Sequence, residues 1–201
     1  ASVKAFDEGG QSVTEQLGEM VITQPMPSMP IYFWNDAGND KYYASYFEVF
    51  PDIWRHGDWI EITARGSVII YGRSDATLNR GGVRIGTSEI YSAVGRVSSV
   101  KDSLAVYLEK KDGGGVISLF VVLTDGLLLT EEIKKEINQT IRTHFTARHV
   151  PDTIEQVADI PYTISGKKME TPIKRILMGE DPSKCINQDT MRNPESLKAF
   201  L

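Results

Sequence analysis

Residues 72–86, Gly-Arg-Ser-Asp-Ala-Thr-Leu-Asn-Arg-Gly-Gly-Val-Arg-Ile-Gly, divide the chain. Four glycines and three arginines fall within this stretch, and the composition differs on its two sides. Residues 1–75 hold 5 Lys and Arg against 11 Asp and Glu, whereas residues 76–201 hold 17 against 16. Of the 18 aromatic residues, 10 lie between Tyr32 and Trp59. Two compositions predict two structural units, 1–75 and 76–201, joined near Arg73-Ser74-Asp75. A length of 201 residues suits two small domains and allows each a core.

The first unit reads as β-rich. Glu19 to Thr23 is a short apolar strand, and Pro25, Pro27 and Pro30 stop any continuous ladder or helix after it. Trp59 to Thr63 alternates, turns through Ala64-Arg65-Gly66-Ser67 and resumes as Val68 to Tyr71, which predicts a hairpin. Tyr42 to Phe50 fits a short helix or a strand. The second unit reads as α+β. Ser88 to Val97 puts Ile90, Val94 and Val97 on one helical face, with Thr87 or Ser88 as cap and Glu89 in the first turn. Leu104–Leu108 and Val116–Leu123 are strand-like, with a turn at Asp112 to Gly115. Ile133, Ile137, Ile141 and Phe145 predict an amphipathic helix over Thr130 to Phe145. The expected architecture is a short antiparallel sheet flanked by helices, with a polar, Pro-containing tail packed on the surface after Lys174.

Several functions are excluded by what the chemistry would need. No run of 18 apolar residues is available to span a membrane, and the start ASVKAFDEGG lacks a secretory pattern. The lone Cys185 forbids an internal disulfide and fits a reducing, cytoplasmic setting. A net charge of −5 argues against a nucleic-acid partner. The only Gly-Lys pair, Gly166-Lys167, has Pro161 where a phosphate loop needs glycine and Lys168 where it needs a hydroxyl. Gly113 to Gly115 opens no helix, so a dinucleotide fingerprint is absent. His56, His144 and His149 lack zinc spacing with Cys185, and no metal site is expected. There is no Gly-x-Ser-x-Gly elbow.

Three charged clusters in glycine-containing loops remain. Trp54-Arg-His-Gly-Asp-Trp59 sets Asp58 just ahead of a strand, where a carboxylate could take hydrogen bonds from a vicinal diol; an Asp closing a turn is the plainer alternative. In residues 72–86 glycines permit close backbone approach and guanidinium forks suit phosphate, against the alternative of a linker with solvated arginines. In Pro161-Tyr-Thr-Ile-Ser-Gly-Lys-Lys-Met169 a lysine on a short loop can meet developing negative charge, although surface Gly-Lys turns are common.

In this order, GDW, YGRSDATLNRGGVRIGTSEIY and IPYTISGKKME resemble the carboxy-terminal third of the adenylate-forming acyl-CoA synthetases, from about residue 15 to residue 176. The text PMPSMPIYFWND, WRHGDWIEIT, SGKKMETPIKRIL and NPESL is similar to members acting on acetoacetate, with acetate or propionate as alternative acids. The resemblance implies that a carboxylate and Mg-ATP give an acyl-adenylate and pyrophosphate, and that coenzyme A then displaces AMP. Mg2+ would enter with ATP. By the same resemblance Asp58 would hold the ribose hydroxyls and Arg73 would contact the nucleotide. Arg84 would meet phosphate, and Gly81 and Gly82 would line the pantetheine entrance. Arg142 would contact coenzyme A, Asp75 would be the hinge between half-reactions, and Lys167 would stabilise the adenylation transition state.

The resemblance further implies that the family's phosphate-binding loop, adenine-binding motif and acyl pocket lie upstream of Ala1. Residues 1–75 would then be the β-rich end of a large amino-terminal domain, and residues 76–201 a small mobile domain with its tail. Such a piece is expected to be inactive without the missing part of its own domain. The alternatives are a non-catalytic docking fragment and a peptide-synthetase adenylation domain, the latter lacking a following carrier motif.

Overall fold

The computed structural model describes residues 1–74, 78–80, 83–110 and 114–201, with the backbone alone at 79, 83 and 84. The chain forms two compact units, Ala1–Asp75 and Ala76–Leu201.

The first unit is built on β1 (Val3–Phe6), β2 (Ser12–Val13), β3 (Leu17–Ile22), β4 (Trp54–Ile62) and β5 (Val68–Arg73). They form one antiparallel sheet in the order β2-β1-β3-β4-β5, burying Ala5, Val21, Ile22, Trp54 and Ile60. The hairpin of β4 and β5 forms as its alternation predicts, closed by a bond from Thr63 N–H to Ser67 C=O at 2.9 Å. However, β4 begins at Trp54 rather than Trp59. Asp58 therefore lies inside a strand and not ahead of one. Gly57, with φ +87°, and a register shift between Trp59 and Ile60 let the charged stretch stay paired.

Residues 42–50, open between helix and strand, contribute to α1 (Asp40–Tyr46). The Asp36 carboxylate decides for helix by accepting from the N–H groups of Lys41 at 3.2 Å and Tyr42 at 2.9 Å. Tyr46 then stacks on Trp54, ring centres 3.7 Å apart.

The second unit starts with the antiparallel pair β6 (Leu78–Arg80) and β7 (Val83–Ile85), followed by α2 (Thr87–Val94). Next come β8 (Val100–Glu109), β9 (Gly115–Leu123), α3 (Glu131–His144) and β10 (Thr153–Gln156). Then α4 (Glu170–Leu177) and the single turn α5 (Pro182–Cys185) complete the order. The α+β class stands, but the sheet β10-β9-β8 is mixed. β8 and β9 run antiparallel, and β10 runs parallel to β9 because α3 carries the chain back across the sheet. The expected turn at 112–115 lies partly outside the described residues.

Both faces of this sheet are apolar. Ala105, Tyr107, Ile117 and Leu119 face α2 and α3, packing with Ile90, Val94, Ile137 and Ile141 and with Leu78 and Ile85 of the β6–β7 pair. Leu104, Val106 and Phe120 on the other face pack with Ile173 and Ile176 of α4 and with Ile186, Met191, Leu197 and Phe200. The segment expected as a surface tail is thus part of a core, because a sheet apolar on both sides needs a second cover. Among the described residues no helix is long and apolar enough to cross a membrane.

Candidate functional site

In the first unit the antiparallel register places Asp58 directly opposite Arg73. The Asp58 Oδ2 lies 2.5 Å from His56 Nδ1 and 3.9 Å from Arg73 Nη1. Arg73 Nη1 also donates to the His56 carbonyl at 3.3 Å. Gly57 permits this: a Cβ there would sit 2.9 Å from Arg73 Nη2. Beneath them the buried Glu19 carboxylate lies 3.2 Å from Arg55 Nε and accepts from Ser74 Oγ at 3.1 Å. Ser74 N–H donates to Gly57 C=O at 2.9 Å, so the end of β5 is tied to the Asp58 strand. A cavity of about 560 Å³ opens beside them, lined by Tyr46, Trp54, His56, Gly57 and Arg73 among others. Walls that carry Arg55, Arg73 and two aromatic rings suit an anionic, phosphorylated ligand.

Asp75 of the first unit and Gly81 and Gly82 of the second lie outside the described residues, and Arg84 is described by its backbone in β7 alone. In the second unit Arg80 donates to Val150 C=O at 2.6 Å and pairs with Asp152, whose other oxygen accepts from Ile117 N–H at 2.8 Å. The expected helix cap at Thr87 or Ser88 is instead Gly86, whose N–H donates to the Glu89 carboxylate at 3.0 Å. The same Glu89 oxygen is 3.3 Å from Nε2 of the buried His149. Arg142 stands exposed in the last turn of α3.

Lys167 sits on a tight loop ahead of α4. Its N–H donates to Thr163 Oγ1 at 3.0 Å, its C=O accepts from Thr163 N–H at 2.9 Å, and Gly166 turns the chain with φ +81°. Its side chain is exposed and has no ion-pair partner among the described residues. The next residue does the opposite: Lys168 Nζ lies 2.8 Å from Asp102 Oδ1 and 4.0 Å from the centre of the Tyr91 ring. Burial and the neighbouring Glu170 push the Tyr91 phenol well above its ordinary range. Burial, and then the hydrogen bond to Asp102, push the Tyr162 phenol up as well. Both therefore remain neutral donors. Among the described residues no group of three or more His, Cys, Asp or Glu could hold a metal ion.

This arrangement has counterparts in known proteins. Residues 89–167 match the family model described as the AMP-binding enzyme C-terminal domain, a match that ends on Lys167. An acetoacetyl-coenzyme A synthetase of Rhizobium meliloti is 44% identical over 99% of this chain and 30% of its own length. The acetoacetyl-CoA synthetase of Xenopus tropicalis is 41% identical over 99% of the chain and 29% of its own length. In solved structures, the acetoacetyl-CoA synthetase from Streptomyces lividans superposes with a TM-score of 0.90 at 42% identity, over 98% of this chain and 30% of that one. The chain is thus similar along nearly its whole length to acetoacetyl-CoA synthetases, and over residues 89–167 to the C-terminal domain of AMP-binding enzymes. It spans less than a third of the length of these relatives.

The structure brings Asp58 and Arg73 together and leaves Lys167, which closes a braced turn, without an ion-pair partner among the described residues. Sequence reasoning singled out these residues but missed their supports. Glu19, Arg80, Asp102 and Asp152 each act on a partner far along the chain, and no local spacing marks such pairs. The doubled lysine was an available signal, since adjacent side chains of an extended segment, such as the one Lys168 forms opposite Tyr162, point to opposite faces.

Proposed function

We propose that this chain is the nucleotide-closing, lysine-bearing part of an ATP-dependent acid–thiol ligase that makes acetoacetyl-CoA from acetoacetate and coenzyme A. In the first step an acetoacetate oxygen attacks the α-phosphorus of ATP, and the bond to pyrophosphate breaks. In the second the coenzyme A thiolate attacks the acyl carbon, and the bond to AMP breaks. The observation that carries this reading is the exposed Lys167 ammonium on its braced turn, in a chain 44% identical to an acetoacetyl-coenzyme A synthetase.

The obstacle in the first step is one anion approaching another. A lysine with no counter-ion among the described residues offers its charge to the oxygens as they gain charge in the transition state. Asp58 would accept from the ribose hydroxyls while Arg73 contacts the nucleotide, the two held close by their pairing across β4 and β5. Arg84 would meet phosphate, Gly81 and Gly82 the pantetheine arm, and Arg142 the coenzyme A, with Asp75 as the hinge that exchanges these loops. Mg2+ would arrive bound to ATP, and no step is routed through it. With less than a third of its relatives' length, the chain alone would have no synthetase activity.

The test separates the half-reactions in a polypeptide extended to the length of those relatives. Lys167→Ala should lower acetoacetate-dependent pyrophosphate exchange by roughly 10²–10³-fold, as removal of one preorganised charge-stabilising group does. Thioester formation from preformed acetoacetyl-adenylate should persist. Equal loss of both half-reactions would count against the assignment of Lys167.

A further inference from the structure

The loop that carries Lys167 is held by one carboxylate at both of its stems. Tyr162 and Lys168 pair across the loop as an isolated antiparallel bridge. The Tyr162 hydroxyl donates to Asp102 Oδ2 at 2.7 Å, and Lys168 Nζ lies 2.8 Å from Asp102 Oδ1. Asp102 is itself oriented, since Oδ1 accepts from Ser103 N–H at 2.8 Å just past a register shift in β8. Lys168 also donates to the Ser103 carbonyl and lies over Tyr91, whose hydroxyl donates to Glu170 at the start of α4. Every donor of the ammonium is thus directed into a half-buried pocket of oxygens and a ring face. The residues between the stems make a turn closed by Thr163 and Lys167 on each other, so little freedom remains for Lys167 except in its own side chain.

We propose that Asp102, through Lys168 and Tyr162, is a positioning residue that aims the Lys167 ammonium and settles which of two adjacent lysines is free to act. Lys168 would be the anchor and Lys167 the working group. Charge alone does not distinguish them, because both are lysines on one loop; the Asp102 carboxylate does. Its catalytic consequence rests on the role proposed above for Lys167, whereas the difference between the two lysines does not.

The experiment has two readouts. Brief acetylation of the intact chain with acetic anhydride, read by mass spectrometry, should modify Lys167 at least about tenfold more than Lys168, since a lysine engaged by a charged partner is withdrawn from attack. Asp102→Asn should raise labelling of Lys168 by about tenfold while that of Lys167 changes little, the scale expected for losing one charge-assisted bond. In the polypeptide extended to its relatives' length, Asp102→Asn and Lys168→Met should lower kcat for pyrophosphate exchange about tenfold or more, with KM for ATP little changed. Lys168→Arg should recover part of that loss, because a guanidinium can still meet Asp102. If Asp102→Asn does not fold, Tyr162→Phe, which removes one bond to the same carboxylate, should shift the labelling in the same direction by less. Equal labelling of both lysines in the unaltered chain, or no change in any variant, would overturn the proposal. The labelling contrast intact, with no acid supporting exchange, would instead remove the synthetase reading and leave the anchor standing.

Discussion

Gly57 has φ +87° and lies directly beneath the Arg73 guanidinium. Gly57→Ala should cost the first unit about 1–2 kcal/mol, because an L-residue is strained there, and it should push Arg73 away from Asp58. A thermal melt of the variant and its nucleotide affinity in the extended polypeptide would show both effects. Glu19 is the second sensitive residue, buried and held by Arg55 and Ser74. Arg55→Ala should destabilise the unit by roughly 1.5–3 kcal/mol by stripping a charged partner from a buried carboxylate, measurable by denaturant unfolding. At this scale the sequence marked Asp58, Arg73 and Lys167 through motif order, and nothing local marked Glu19 or Asp102. Their partners are brought to them by strand pairing, a long-range fact with no signature in residue spacing.

At the scale of elements, periodicity decided what could be read. α3 was visible because Ile133, Ile137, Ile141 and Phe145 repeat along one face, and the β4–β5 hairpin because its strands alternate around a turn. The segment after α4 has no period, only isolated apolar residues among polar ones, yet Leu197 and Phe200 are buried and Phe200 meets Phe120 edge-on at 4.9 Å. Phe200→Ala should therefore cost about 3–5 kcal/mol, although it is the penultimate residue. No loss in a melt of the second unit would restore the surface-tail expectation. The joint between β8 and α4 carries a pH signature. Tyr91 and Tyr162 have phenols raised above the ordinary value of 10.0 by burial and carboxylate neighbours. A raised value favours the neutral form in the folded state, so this stability is complete below the unfolded value and is lost as pH climbs above it. Melting of the second unit should hold up to about pH 10 and fall beyond, and Tyr162→Phe should shrink that fall.

The whole molecule combines two cores of different character. The second unit covers both faces of its sheet, whereas the first leaves Ile31, Trp34 and Ile70 exposed, Trp34 at 93%. We infer that residues of a longer polypeptide cover this apolar surface, in keeping with a chain that spans 29–30% of its relatives' length. The chain alone should bind an apolar fluorescent dye strongly, and extension to that length should suppress the binding. The most direct test of the ligase reading is exchange of labelled pyrophosphate into ATP by the extended polypeptide, with acetoacetate, acetate and propionate compared. Exchange driven mainly by acetoacetate, and lowered roughly 10²–10³-fold by Lys167→Ala, is the predicted result. A folded protein that supports no exchange with any of the three acids would contradict it.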